Sequence, residues 1–279
     1  HIYSVSRPGA AVLTAMGALR LGAGYVYVVV PDSIADVVRA HIPNAIVRPV
    51  PSAADGSIAE AGPVLAAVSD ADAVVAGPGL TTGAGAAAAV RALVSETGTP
   101  LLLDADALNL LAAHPVLAKQ VRRRTAATLI TPHPLEAARL LGIDVGAVRA
   151  DRLRAALSLA EKLNAVTVLK GCGSVIASPA GHWYINTSGN PGMASAGMGD
   201  VLAGLAAALG VTRVDLCRVC QHLQVPVRRQ VAGHFIQQGD HLQIVQVEQM
   251  PAPAVRGDGA RRLRCLPRSV WRRRSQSKR

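Results

Sequence analysis

The chain reads as an α/β protein: a doubly wound, mostly parallel sheet with an antiparallel hairpin at one edge. Three observations predict this. From residue 8 to residue 210, short β-branched runs alternate with helix-length stretches, the pattern of parallel βα units covered on both sheet faces. Half of the 279 residues are apolar but only 3% are aromatic, so the core must be Ala, Val and Leu between closely spaced layers. The last two strand-like runs are joined by four residues, too few for a parallel crossover.

The first helix is expected over Ala10–Leu21 and the first strand over Tyr25–Val30. Together they form a 21-residue apolar stretch of about bilayer length. Arg20 interrupts it and Gly17, Gly22 and Gly24 punctuate it, so helix, turn and strand is the reading and no membrane span is expected. Further strands are expected at Ile46–Val50, Asp72–Ala76, Pro100–Asp104, Ala127–Thr131 and Ala165–Lys170. Helices are expected at Ser33–His41, Ile58–Val68, Gly83–Glu96, Ala107–Ala113, Pro134–Leu141 and Asp151–Leu163. Ser174–Ala177 and His182–Asn186 form the hairpin through Ser178-Pro-Ala-Gly181. A glycine-rich loop, Gly189 to Asp200, then opens the apolar helix Val201–Leu209.

Beyond Gly210 the composition changes. Residues 1–210 hold 15 Lys and Arg against 14 Asp and Glu, whereas 211–279 hold 14 against 4, so the net charge of +11 belongs to the tail. Gln occurs once before residue 211 and nine times after it. We therefore expect one domain over 1–210, incomplete at both ends, and a basic Gln/Arg-rich tail over 211–279, disordered or produced by a shifted reading frame. Cys172 is alone in the first 210 residues, so no disulfide framework spans the chain and the cytoplasm is the expected compartment. Cys217, Cys220, His234 and His241 resemble a zinc-finger spacing, but six residues separate the histidines where three to five are usual. The Arg cluster of the tail would bind polyanions, yet Trp271 alone is interleaved as a stacking group, and nucleic acid is not the expected partner.

The strongest chemical signal is Ala196-Gly-Met-Gly-Asp200 at a helix start. Glycines at 197 and 199 let successive N–H groups converge in a nest, where the helix N-terminus adds partial positive charge, and a phosphate fits there. Asp200 either serves as general base toward a hydroxyl approaching that phosphate or caps the helix. Asp72 to Gly79 is a strand ending in a Gly-Pro-Gly turn, which lets the backbone approach a ligand at the carboxyl edge of the sheet. Thr131-Pro-His-Pro-Leu-Glu136 ends another strand and projects His133 over the same edge, with Glu136 in the next first turn. Asp104-Ala-Asp106 offers two carboxylates there, read as cation ligands or as a cap by Asp106; the EF-hand pattern fails because Asn109 stands where Gly is needed. Lys170-Gly-Cys-Gly-Ser174 suits a nucleotide phosphate or ribose, or is a solvated turn.

Six segments stand in the order and approximate spacing of the NAD(P)H-hydrate dehydratase family, which the chain resembles over about residues 8–210. They are Gly9-Ala-Ala11, Ala76-Gly-Pro-Gly79, Leu103-Asp-Ala-Asp-Ala-Leu-Asn109, Thr131-Pro-His-Pro-x-Glu136, Leu169-Lys-Gly171 and Asn190 to Leu202. The resemblance implies a ribokinase-like fold and a metabolite-repair lyase. Such enzymes use ADP or ATP with Mg²⁺ to phosphorylate the hydroxyl of hydrated NADH or NADPH (NADHX, NADPHX), after which phosphate leaves and the nicotinamide ring is restored. It implies that Ala10, Gly79, His133 and Asp200 contact the hydrated dinucleotide. Lys170, Gly171, Cys172, Gly173, Ser174 and Gly199 would hold the donor nucleotide. Asp200 would be the base, Gly197 and Gly199 the anion hole, and Glu136 an indirect Mg²⁺ ligand. A homo-oligomer and an NAD(P)HX epimerase domain or partner are implied as well.

The chain departs from the family pattern at three places. An upstream central strand is expected to be missing, Met198 replaces Thr or a small residue beside the nest, and Cys172 replaces Ala. The alternatives are a small-molecule kinase of the same fold and an inactive or polyanion-binding protein.

Overall fold

The computed structural model describes residues 2–3, 7–187 and 193–209. The tail 211–279, with its cysteines, histidines and arginines, lies outside the described residues, as does the segment 188–192 of the glycine-rich loop.

The elements are β1 (Ile2–Tyr3), α1 (Pro8–Arg20), β2 (Tyr27–Pro31), α2 (Asp32–His41), β3 (Ile46–Val50), α3 (Ala61–Ala67), β4 (Val74–Ala76) and α4 (Ala84–Glu96). They continue as β5 (Leu101–Leu103), α5 (Asp106–Ala113), α6 (Pro115–Arg123), β6 (Thr128–Ile130), α7 (Pro134–Leu141), α8 (Val145–Ala150), α9 (Arg152–Leu163), β7 (Val166–Leu169), β8 (Val175–Ala177), β9 (Trp183–Ile185) and α10 (Met198–Ala208). The strands form one sheet in the order β3-β2-β1-β4-β5-β6-β7-β8-β9. Pairing is parallel from β3 to β7 and antiparallel from β7 to β9, the expected edge hairpin.

The central strand expected to be missing is present. Ile2–Tyr3 pairs with Val28–Val29 on one side and Val75–Ala76 on the other. Two residues are too short for any hydrophobic period to be read, so only the pairing identifies them. Two helices were also absent from the sequence reading. In α6, Leu117 and Val121 bury one narrow stripe of an otherwise polar helix, and α8 is six residues with a glycine inside. Helix α3 starts at Ala61 instead of Ile58, because Ile58 bridges back to Ser52 and is fully buried there.

Alternation along the buried strands sends successive side chains to opposite faces. Leu101, Leu103, Ile130 and Leu169 join the core beneath α3 to α9. Val75, Leu102, Leu129 and Val168 join the core beneath α1, α2 and α10. The crossing of α1 and α10 is close because it is built on glycine. A Cβ on Gly17 would lie 2.6 Å from the Val201 carbonyl oxygen, and one on Gly204 would overlap the Thr14 carbonyl. This contact fixes where the N-terminus of α10 sits over the sheet.

Candidate active site

The same alternation builds the site. Continuing each strand by one residue places Asp104 after Leu103, Thr131 after Ile130 and Lys170 after Leu169. Each shares the face of Leu102, Leu129 or Val168, so all three lie at the carboxyl edge under α1 and α10. Lys170 Nζ donates to Asp104 Oδ1 at 2.7 Å across 66 residues of sequence, with Asp104 1% and Lys170 19% exposed. Glu136 Oε2 lies 3.9 Å from the same ammonium. Thr131 is fully buried and its Oγ1 has no hydrogen-bond partner among the described residues.

Helix α10 starts above this row. Its N-cap is Gly197 in the left-handed region at φ 83°, so Asp200 is not the cap but the third helical residue. Helix α10 therefore begins three residues earlier than the expected Val201. Gly199 has no positive φ, and its lack of a side chain matters for space: a Cβ there would be 3.4 Å from Lys170 Nζ and 3.7 Å from Asp104 Oδ2. Met198 N–H donates to Ser195 O (3.3 Å) and Val201 N–H to Gly197 O (3.0 Å). The N–H groups of Gly199 and Asp200 have no backbone partner among the described residues, and such first-turn donors are where a helix receives an anion. Met198, expected to crowd the nest, packs instead with Leu13, Leu21 and Met193 against Val201 and Leu205.

Burial pushes the Asp200 carboxyl up to about 6, with the charge of Asp104 adding to the rise and Lys170 and Arg7 opposing it. Burial raises Glu136 further, to about 7, against the pull of Lys170 and of the His133 backbone N–H. Of the two carboxyls near this ammonium, Glu136 thus holds its proton up to neutrality while Asp200 is mostly ionised at pH 7 and gains a proton as the pH falls through about 6, the range suited to accepting or releasing one.

His133 has a double position. Its Nδ1 accepts from the backbone N–H groups of Leu135 and Glu136, both at 3.2 Å, while the backbone N–H of His133 donates to Glu136 Oε2 at 2.7 Å, a reciprocal cap of α7. With Nδ1 engaged as acceptor, the neutral ring carries its proton on Nε2, 3.3 Å from Glu136 Oε1. Burial and Lys170 both lower the His133 pKa, which favours that neutral form. The turn after β4 has positive φ at Gly77 and Gly79, and Asp106 Oδ2 accepts from the Thr81 N–H at 2.9 Å. Asp106 therefore ties two loops together and does not cap α5, whose N-cap is Ala105. Ala10 lies half-buried in the first turn of α1, the helix whose N-cap Arg7 acts electrostatically on Asp200.

The turn from β7 to β8 carries Gly171 at φ 150° and Gly173 at φ 64°. Ser174 Oγ donates to Gly171 O (2.9 Å) and accepts from Gly171 N–H (3.2 Å), so this hydroxyl shapes the turn from inside. Cys172 is exposed and unpaired. Asp104, expected from the sequence only as one of two candidate cation-ligating carboxylates, and Thr131, given no role there, both belong to the row around Lys170. Strand parity was the available signal for both.

The family model described as NAD(P)H-hydrate dehydratase matches residues 4–223, a little beyond both ends of the expected resemblance. The bifunctional NAD(P)H-hydrate repair enzyme Nnr of Gloeobacter violaceus is 45% identical over 201 residues, 72% of this chain and 38% of its own length. This chain thus spans well under half of that relative. The crystal structure of an ADP/ATP-dependent NAD(P)H-hydrate dehydratase from Bacillus subtilis, co-crystallised with ATP and Mg²⁺, superposes with a TM-score of 0.63 at 27% identity, covering 80% of this chain and 76% of that one. A ribokinase-like superfamily protein from Enterococcus faecalis shares the fold, with a TM-score of 0.66 at 23% identity over 83% and 78% of the two chains. An α/β sheet of this topology, the six ordered motifs and a match over residues 4–223 lead to one assignment: the chain belongs to the NAD(P)H-hydrate dehydratase family.

Proposed function

We propose that residues 1–210 form a domain that dehydrates hydrated NADH or NADPH at the expense of ADP or ATP. The observation that carries the reading is the Lys170–Asp104 pair beneath the open first-turn N–H groups of α10, with the Asp200 carboxyl beside them. Donor phosphate would sit on the Gly199 and Asp200 N–H groups with Lys170 alongside, and the Gly171–Ser174 turn would hold the nucleotide. Gly79, Ala10 and His133 would line the hydrated dinucleotide, with the neutral His133 Nε2–H as a donor.

In this mechanism Asp200, ionised, takes the proton of the substrate hydroxyl as its oxygen attacks the terminal phosphorus. The bond from phosphorus to the nucleotide oxygen breaks, and the shorter nucleotide leaves with the electron pair. The C–O bond then breaks with its electron pair leaving on phosphate, and the neighbouring ring carbon gives up a proton to solvent, so that the two steps together remove the elements of water, the oxygen on phosphate and the hydrogens as protons. Phosphate is a better leaving group than hydroxide, which is what the first step gains.

Among the described residues no three His, Cys, Asp or Glu side chains cluster as a metal site. Mg²⁺ commonly uses only one or two carboxylates together with substrate phosphates. Asp104 and Glu136 around Lys170 fit an ion that arrives with the donor, and when bound it would neutralise charge on the transferring phosphoryl group. The cytoplasm, a homo-oligomer and an epimerase domain or partner acting on the same hydrate belong to this proposal. The bifunctional name of the Gloeobacter relative supports a second activity in longer chains. Among the described residues no helix is long and apolar enough to cross a membrane.

The test is recovery of reduced-nicotinamide absorbance when hydrated NADH is incubated with the protein, Mg²⁺ and ADP or ATP. Recovery with release of inorganic phosphate is expected, and its loss in Asp200→Asn. Accumulation of a stable phosphorylated product would instead indicate a small-molecule kinase, and no turnover with either nucleotide would reject catalysis.

A further inference from the structure

The first residue of α9 is an arginine, a placement that helix electrostatics disfavours, since the N-terminus of a helix already carries partial positive charge. Arg152 instead points into the turn between β7 and β8. Its Nη1 donates to the Cys172 carbonyl and its Nη2 to the Leu169 carbonyl at 3.2 Å, one contact at each end of Lys170-Gly171. The guanidinium lies close under the turn, where a Cβ on Gly171 would be 2.8 Å from Nη2, and the φ of 150° at that residue is what calls for glycine. Its Nε is buried without a hydrogen-bond partner. Among the described residues no carboxylate stands within 4.0 Å of it, and that of the neighbouring Asp151 accepts from the Arg154 N–H at 2.9 Å. A half-buried cation without an anion, forked onto two carbonyls of one turn, is costly unless something negative comes to that turn.

We propose that Arg152 is a positioning residue for the phosphoryl donor, holding residues 170–174 open and supplying fixed positive charge beneath a nucleoside di- or triphosphate. This rests on the donor site proposed above. The planar fork matters as much as the charge. By bonding carbonyls on both sides of Lys170-Gly171, it holds those oxygens on its own side of the turn, and the N–H groups of Cys172 and Gly173, which unlike those of Lys170 and Gly171 have no partner among the described residues, are left for the nucleotide. The Ser174 hydroxyl secures the turn at Gly171, and Arg152 secures it from below.

The test compares Arg152→Gln and Arg152→Lys with the unaltered chain, using calorimetric binding of ADP alone, steady-state kinetics and amide hydrogen exchange. Arg152→Gln should weaken ADP binding and raise donor KM by about tenfold, the scale of losing one charge-assisted contact. The kcat at saturating donor should stay within about threefold and KM for the hydrated dinucleotide should not move, because the substrate side is untouched. Amides 171–174 should exchange faster in the free variant, with other regions unchanged. Arg152→Lys, keeping the charge without the fork, should fall between the two. Should Arg152→Gln not fold, the Lys variant carries the same comparison. Unchanged ADP affinity in a folded variant would overturn the inference, as would equal losses in both KM values and in kcat, which mark general damage. If the unaltered chain binds neither ADP nor ATP, the functional reading falls and this inference with it. If it binds ADP without turning over hydrate, only the chemistry falls, and the Arg152 comparison still decides.

Discussion

Acidification from pH 7 to pH 5 should remove the proposed base. With the Asp200 carboxyl at about 6 in the free protein, roughly 90% of it is ionised at pH 7, half at pH 6 and about 10% at pH 5. Because only the ionised form can accept the hydroxyl proton, kcat/KM for the hydrate should fall about tenfold across that interval. A carboxyl at its ordinary value of 3.8 would lose only a few per cent over the same span. The cause of the shift offers an internal control. After burial, the largest contribution is the negative charge of Asp104, so Asp104→Asn should move the acid limb to lower pH. The donor's own phosphate ionisation is common to both proteins and cancels in that comparison. The assay is the initial rate of absorbance recovery with hydrate and donor both sub-saturating, so that the free protein is the reference state, in buffers of constant ionic strength. A flat profile between pH 5 and 7, or an acid limb that Asp104→Asn leaves in place, would refute the assignment of Asp200 as a buried base beside Asp104.

Glu136 makes a matching prediction for stability. Its folded-state pKa of about 7 against an ordinary 4.5 means that the native protein keeps a proton the unfolded chain releases, so stability of the free protein should fall as pH rises between those values. Glu136→Gln should remove most of that slope in urea midpoints, leaving the smaller contribution of Asp200 below pH 6; retention of the full slope would sink the reading. Gly204→Ala should cost about 1–3 kcal/mol by overpacking against Thr14, and it should reduce activity beyond the loss of folded protein because α10 carries Asp200. Wild-type urea midpoint together with wild-type kcat would contradict it. Arg124→Met should cost about 2–3 kcal/mol, since its guanidinium donates to the carbonyls of Leu93, Val94, Thr97 and Thr99 at 2.5–3.1 Å. As this cluster lies at the amino end of β6, kinetics of the folded fraction should be unchanged.

What could be read from the sequence follows the range over which its signals act. Val28 to Val30, Leu101 to Leu103 and their neighbours are buried on both faces, so continuous apolar runs identified the parallel strands without any tertiary information. The turn chemistry of residues 178–181 identified the hairpin in the same way. Helix α6 escaped because only Leu117 and Val121 face the core, too few to establish a helical period. Within the site, Asp200, Gly199, Lys170 and His133 were legible as motif residues, yet Gly199 and His133 also have structural parts that their motifs do not suggest. Gly199 makes room beside Lys170, and His133 spends one ring nitrogen on capping α7. Arg152 gave no local signal at all, because its partners at residues 169 and 172 lie across a helix and a strand from it.

The charges of the row also explain why donor and cation would have to arrive together. Among the described residues Asp104, Glu136 and Asp200 face a single close ammonium, that of Lys170, with Arg7 acting on Asp200 as a weaker cationic influence. Full ionisation would place a net negative charge where a phosphate is to bind, and the free protein eases the conflict by retaining a proton on Glu136 near neutral pH and a second on Asp200 as the pH falls through about 6. A polyphosphate alone would deepen that conflict, whereas a divalent cation on the phosphates would favour ionisation of both carboxyls. Ionised Asp200 is the form that can take the substrate proton. On this reasoning bound donor and cation would keep Asp200 ionised to lower pH, whereas in the free protein half of it carries a proton at pH 6.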